Sequence, residues 1–282
     1  MSGKITLLIA SLSVCLLPLP APGAEEAHRP WPVISIIIDD LGYRKQDDTR
    51  ALALPGPIAF AIIPQSPFAT KMSGLASAKG KTVLMHLPME AVEEEKNRFL
   101  GPGGLTLNMT QEEFLHTMDL NLLSVPDAIG VNNHMGSLLT RHPGHMQWLM
   151  ERLSQQHKFY IDSYTTTLSV ADTLAGENNV PYLRRDVFLD NNQDEAYVRK
   201  QFKRLIDIAR RRGKAIGIGH PHPVTVKVLA AELLRLDEYG VTLINLTELV
   251  DAETHIHPQA PHTITAGVCE PNMKPAESKI SC

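Results

Sequence analysis

Cysteine is scarce: the 282 residues hold 3, at Cys15, Cys269 and Cys282. None lies among the polar residues discussed below, which argues against thiol catalysis. Aromatic residues make up 5% of the chain and leave few ring faces, chiefly Tyr43, Trp148, Tyr160 and Tyr164. Charge of neither sign dominates. The net charge is −4 and the sequence pI about 6.3, without the basic face of a nucleic-acid binder, so no nucleic-acid partner is expected. Long hydrophobic runs are also missing. The longest, Ile5 to Leu17, has signal-peptide length and is too short to span a bilayer comfortably. No internal repeat occurs.

Lys4 precedes that run, and Pro18-Leu19-Pro20-Ala21-Pro22-Gly23-Ala24 breaks it. The pattern predicts a signal peptide over 1–24, cleaved after Ala24, with an uncleaved anchor as the competing reading. The mature protein is therefore expected to be periplasmic or secreted, with no stable membrane span. Cleavage removes Cys15 and leaves Cys269 and Cys282, a pair compatible with a disulfide stapling the tail. Residues 25–32 read as a linker, 33–250 as one domain, and 251–282 as a disordered tail rich in Pro and His, including His255, His257 and His262.

What is present is a repeated pattern of short apolar runs, each ending in polar residues. Val33–Ile38 ends in Asp39-Asp40, Thr82–Met85 in His86, and Ala128–Val131 in Asn132-Asn133-His134. Phe159–Ile161 ends in Asp162, Val187–Leu189 in Asp190-Asn191, and Ala215–Gly219 in His220-Pro221-His222. Helix-like stretches separate them: 66–79, a capped segment from Thr110 to Leu123, 146–156, 194–212, 225–239 and a last turn at 246–250. Alternating strands and helices without a composition break predict a single α/β domain with parallel strands. Such folds gather their chemistry at the carboxyl ends of the strands.

The residues at those ends bear carboxylates and imidazoles. Asp39 and Asp40 repel each other and lose hydration if buried. A metal ion, a helix cap or a salt bridge would offset that cost. The metal also divides the roles, one carboxylate as ligand and the other as free base. His86 and Glu90, read together with Asp40, make a donor set that suits zinc. His134 lies between Gly130 and Gly136 in a segment that reads as an exposed turn or a plain loop. Pro221 and Pro223 stiffen the segment around His220 and His222 and predict a non-helical loop there. His220, nearer the strand end, is the better candidate acid.

Together these segments resemble the divergent branch of the polysaccharide deacetylase family. The resemblance runs from about Val33 to Val250. It is carried by Ile36-Ile37-Ile38-Asp39-Asp40-Leu41-Gly42, Leu84-Met85-His86-Leu87-Pro88-Met89-Glu90, Gly130 to Ser137, Asp162 to Thr166, and Ile218-Gly219-His220-Pro221. It implies a single distorted (β/α) barrel and a divalent metal, most often Zn2+, used to remove acetyl groups from an envelope polysaccharide or peptidoglycan-type glycan. By resemblance Asp39 is the base, Asp40 a metal ligand, His220 the general acid, and Asp162 an orienting aspartate. The family's second ligand histidine is replaced here by Glu90, and its usual arginine is not evident, so His134 is the candidate for the missing ligand beside His86. A glycan-binding or scaffold protein of the envelope, with little or no catalysis, is the alternative reading.

Overall fold

The computed structural model describes residues 31–256. The signal segment, most of the linker, the tail beyond 256 and the Cys269 and Cys282 pair lie outside the described residues. Nine strands make one sheet: β1 (Val33–Leu41), β2 (Ala59–Ile62), β3 (Thr82–Met89), β4 (Gly130–Met135), β5 (Phe159–Asp162), β6 (Tyr182–Arg184), β7 (Val187–Phe188), β8 (Lys214–Gly219) and β9 (Thr242–Leu243). All pairings are parallel, in the order β6-β5-β4-β3-β2-β1-β8-β7, with β9 beside the start of β1.

The helices are α1 (Lys45–Ala51), α2 (Ala69–Ala78), α3 (Glu94–Asn97), α4 (Gln111–Ser124), α5 (Pro143–Gln155), α6 (Ala171–Glu177), α7 (Glu195–Arg212), α8 (Pro223–Glu232), α9 (Leu236–Tyr239) and α10 (Leu246–Ile256). Among the described residues none is long and apolar enough to cross a membrane.

The two sheet edges meet through one kinked segment. β6 pairs with β5, and two residues later β7 pairs with β8. Between them Arg185 N donates to Asp162 O (3.0 Å), and Asp186 N donates to Ile216 O (2.9 Å). The sheet is thereby drawn round into a distorted (β/α) barrel, as expected.

Strand parity sorts the side chains into two cores. In β1, Ile34, Ile36 and Ile38 pack outward against the helices, while Ile37 faces the barrel interior. Ala59, Ala61, Leu84, Phe159, Ile161, Leu183, Ile216 and Ile218 join Ile37 inside. Leu246, Leu249 and Val250 of α10 belong to the same cluster. Contacts at Ser35, Thr82 and Lys214 put α10 and the turn before it at the amino ends of the strands. The bottom of the barrel is thus plugged with apolar side chains, and only the carboxyl ends remain for chemistry.

The outer helices follow their sequence signals. Thr110 and Glu113 form the capping box that opens α4. Asp194 caps α7, whose Val198, Phe202, Leu205 and Ala209 make one buried stripe, and Gly213 ends it at φ +83°. Three local differences stand out. β2 was not anticipated, because the run Ile58–Ile63 ends in Pro64 with no chemistry-bearing residue to flag it. The non-helical reading of the Pro221–Pro223 loop is corrected, since Pro223 occupies the first turn of α8, where its missing N–H costs nothing. The last helix runs on to Ile256, past the expected end at Val250.

Gly130 opens β4 where a side chain would overlap the ring of Phe159 on β5. Gly130→Ala is therefore expected to cost about 1–3 kcal/mol of stability, the scale of core overpacking. Urea unfolding measures it, and a variant as stable as the parent would contradict this packing.

Candidate metal centre

The site begins with a break in strand parity. A regular β1 would send Asp39 inward and Asp40 outward. Instead the register with β2 shifts between Ile38 and Leu41, and Asp40 adopts φ +63°. This bulge turns both carboxylates to the same cleft. A left-handed backbone at a non-glycine residue is uncommon and clusters at functional sites. Gly42 completes the turn at φ +121°, where a Cβ would collide with Ser66.

β3 and β4 supply the imidazoles. His86 has the inward parity of Leu84, and register sets it beside Asn132 and sets Pro88 beside His134. His134 Nδ1 lies 2.9 Å from Asp40 Oδ1 and 3.2 Å from His86 Nε2, and His86 Nε2 lies 3.2 Å from Asp40 Oδ1. Asp40 Oδ1 is nonetheless a buried oxygen without a hydrogen-bond partner of good geometry. Three donor atoms at these spacings match the edge of a zinc tetrahedron, about 3.3 Å for ligand bonds of 2.0–2.1 Å. The donor set and the orphaned oxygen both fit a divalent cation.

Asn132 ties this group to the base candidate. Its Nδ2 donates to Asp39 Oδ1 at 2.8 Å, and its Oδ1 faces His86 Nδ1 at 2.9 Å. The amide oxygen can only accept, so the His86 proton sits on Nδ1 and Nε2 presents a lone pair to the donor triangle. A ligand histidine is commonly oriented by a bond of this kind. Asn132 is fully buried, and sequence reasoning gave it no role. Its place two residues before His134 on the same strand is the signal that shared parity offers.

Opposite stands His220, just past β8. Its Nδ1 donates to Asp190 Oδ1 (2.8 Å), its backbone N donates to Asp190 Oδ2 (2.7 Å), and Thr225 Oγ1 also donates to Oδ2 (2.7 Å). His220 Nε2 points toward Asp40 Oδ2 at 3.8 Å. Asp190, His220 and His222 also gather three donor atoms, but the Asp190 oxygens are already taken by these bonds.

Two expected site residues lie elsewhere. Asp162 shares the outward parity of Tyr160, so its carboxylate leaves the barrel interior; it accepts from Tyr164 N, Ser169 Oγ and, at 3.4 Å, Tyr182 OH. It touches neither Asp39 nor His220, and Asp190 is the aspartate that orients the histidine. Glu90 follows the end of β3, where the chain turns to pair with Leu105; its carboxylate accepts from Leu107 N and is no part of the donor triangle. An arginine that sequence reasoning did not single out, Arg185, lies near these acids. It sits in the barrel seam, donates to the carbonyls of Ser163 (2.7 Å) and Tyr164 (3.0 Å), and its charge reaches Asp162 and Asp39.

Environment separates the two adjacent acids. Burial raises the Asp39 carboxyl above its ordinary value, against the pull of His86 and His220. Burial would raise Asp40 too, but the imidazoles of His134 and His86 hold it well below. Burial lowers Arg185 to about 10, although the nearby acids act to raise it. His220 loses hydration, yet the Asp190 bond and the charges of Asp40, Asp190 and Asp39 raise it to about 9. The cleft above has a volume of about 270 Å³, near the small end of ligand clefts.

A barrel with acids and imidazoles at its strand ends defines a class, and sequence comparison identifies it. The chain belongs to the divergent polysaccharide deacetylase family, whose model matches residues 36–250. It is 40% identical to an uncharacterised protein of Haemophilus influenzae over 226 residues, covering 80% of this chain and 79% of that protein. It is 38% identical to the uncharacterised protein YibQ of Escherichia coli over 254 residues, covering 86% and 78%. Among solved structures, an uncharacterised protein of Agrobacterium tumefaciens shares the fold at a TM-score of 0.75 and 19% identity, over 82% of this chain and 92% of that one. A putative cellobiose-phosphate cleavage protein of Enterococcus faecalis shares it at 0.57 and 15% identity, over 77% and 98%.

The raised His220 makes a signed prediction for the metal-free protein. Between the ordinary imidazole value near 6.5 and about 9, the folded state holds a proton that the unfolded chain has released. Stability is therefore present below 6.5 and is lost as pH rises through about 9, and the raised His86 acts in the same direction. Urea midpoints of chelator-treated protein should fall across this window, and His220→Gln should flatten the slope. An unchanged slope in that variant would refute the coupling.

Proposed function

We propose that this chain is an exported, metal-dependent hydrolase of the deacetylase type, acting on an N-acetylated glycan of the cell envelope. One observation carries the reading. Three converging donor atoms, on Asp40, His86 and His134, share a cleft with the buried carboxylate of Asp39 and the Asp190-fixed imidazole of His220. The export element rests separately on the segment from Lys4 to Ala24.

Asp40, His86 and His134 would hold the ion, and their mixture of carboxylate and imidazole suits Zn2+. When bound, such an ion polarises an amide carbonyl and lowers the pKa of water. Asp39 takes a proton from the water whose oxygen attacks the acetamide carbon. Its raised pKa strengthens it as a base, and Asn132 occupies Oδ1, which leaves Oδ2 for the proton. His220 gives the proton on Nε2 to the amine nitrogen as the C–N bond breaks, while Asp190 retains the Nδ1–H and steadies the imidazole. Acetate and a free amine leave, Asp39 returns its proton to solvent, and His220 regains one.

Metal analysis and acetate release from chito-oligosaccharides and peptidoglycan test the proposal. His86→Ala should lose most bound zinc, because it removes one of three protein ligands. Full occupancy in that variant would refute the centre. Asp39→Asn and His220→Ala should retain zinc and lose roughly 10²-fold or more of acetate release. A parent protein that binds glycan strands yet releases no acetate from any of them, with Asp39→Asn binding equally well, would establish a glycan-binding scaffold instead.

A further inference from the structure

The cleft carries a charge that hydrolysis of a neutral acetamide does not use. Arg44 lines it together with Asp40, His134, His220 and His222. Asp40 is the only carboxylate in that lining and stands in the donor triangle. Among the described residues the Arg44 guanidinium makes no ion pair and donates no side-chain hydrogen bond. Asp48, an acid that feels its charge, accepts at one oxygen from Gly42 N, six residues earlier in the chain. Arg50, Arg152, Arg199, Arg210, Arg212 and Arg235 pair with acids, whereas Arg44 faces the cleft without such a partner.

Its backbone is firmly held. Arg44 O accepts from Asp48 N at 2.9 Å, and Gly42 O accepts from Phe68 N at 3.0 Å. The exposed Arg44 side chain extends from this anchored backbone just beyond Asp40, and its charge depresses the His222 imidazole, which burial already lowers. Two exposed rings flank it, Tyr43 and Phe99, and Arg98 stands over the Phe99 ring at 4.7 Å. Aromatic faces beside a few fixed polar groups suit a sugar ring. The chain as a whole carries −4, so an anion is not drawn to it by net charge, and its recognition must be local.

We propose that the cleft takes a glycan bearing a fixed oxyanion, a carboxylate or a phosphate, on or next to the N-acetylated sugar, and that Arg44 binds this anion. A guanidinium matches either group with paired, charge-assisted hydrogen bonds. The inference rests on the same cleft being the substrate site.

Calorimetry on the purified, zinc-loaded protein tests it with three probes: the disaccharide of N-acetylglucosamine and N-acetylmuramic acid (carboxylate), N-acetylglucosamine 6-phosphate (phosphate), and N,N′-diacetylchitobiose (neutral). At least one anionic probe should bind roughly 10-fold to 100-fold more tightly than the neutral one, the scale of a charge-assisted bond. The arm that does so identifies the anion. Arg44→Ala should erase the gap with zinc content unchanged, and Arg44→Glu should reverse it. Equal affinities, no binding of any probe, or a gap that survives Arg44→Ala would overturn the proposal, the last by assigning the anion to the metal. Acetate release is read in parallel. Discrimination without acetate release sinks the hydrolase reading and leaves the anion subsite standing, whereas acetate release without discrimination does the reverse.

Discussion

Two neighbouring residues of one strand cannot ordinarily face the same way, and this site needs them to. The bulge at Asp39 and Asp40 resolves the conflict, and everything else in the cleft is arranged around it. A left-handed backbone at Asp40 costs on the order of 1–3 kcal/mol. The surroundings hold it in place. Leu41 regains its pairing with Ile62 and accepts from Ile63 N, Gly42 N reaches the buried Asp48 carboxylate, and Ser66 fills the space that a side chain on Gly42 would need. The sequence Asp39-Asp40-Leu41-Gly42 is thus a conformational unit as much as a chemical one.

Once both carboxylates share the cleft, their partners decide what each can do. Asp40 meets two imidazoles and stays ionised. Asp39 meets a neutral amide at one oxygen, and at the other only His86, at 3.6 Å. Burial then dominates at Asp39 and raises it. Two adjacent acids with opposite shifts are the pattern by which one site obtains both a permanent anion and a proton acceptor. Asn132 makes the arrangement rigid, since the same amide that holds Asp39 also fixes the tautomer of His86. Losing it would disturb the base and the donor triangle together.

Much of this was legible in the sequence because polar residues ended apolar runs. That rule found β1, β3, β4, β5, β7 and β8, and with them Asp39, Asp40, His86, His134 and His220. It missed β2, whose run ends in proline, and β6, three residues of mixed polarity. It also misread which residues face inward. Asp162 and Asp190 both follow apolar runs, but Asp162 shares the parity of the outward Tyr160, and only Asp190 reaches His220. Parity depends on the residue at which each strand enters the barrel, and a run of three apolar residues buried on both faces does not reveal it. Glu90 failed for a related reason, since the strand ends one residue earlier and the chain turns aside to pair with Leu105.

The seam between β6 and β7 gives Asp162 a role of another kind. Closing the barrel there half-buries Arg185, and a cation that loses hydration needs compensation. The carbonyls of Ser163 and Tyr164 accept its protons, and Tyr164 presents its carbonyl from a left-handed backbone at φ +51°. The negative charge comes from Asp162, whose own oxygens are tied to Tyr164 N and Ser169. Asp162, Tyr164 and Arg185 therefore form one knot that holds the end of β5 against the closing segment. Phe188 lies under the Arg185 guanidinium at 3.7 Å and roughly parallel to the His220 ring, 6.3 Å away between centroids. The knot that closes the barrel is packed directly behind the candidate acid. The Phe188 ring thus links the seam to the candidate acid, whose own position is set by its two bonds to Asp190.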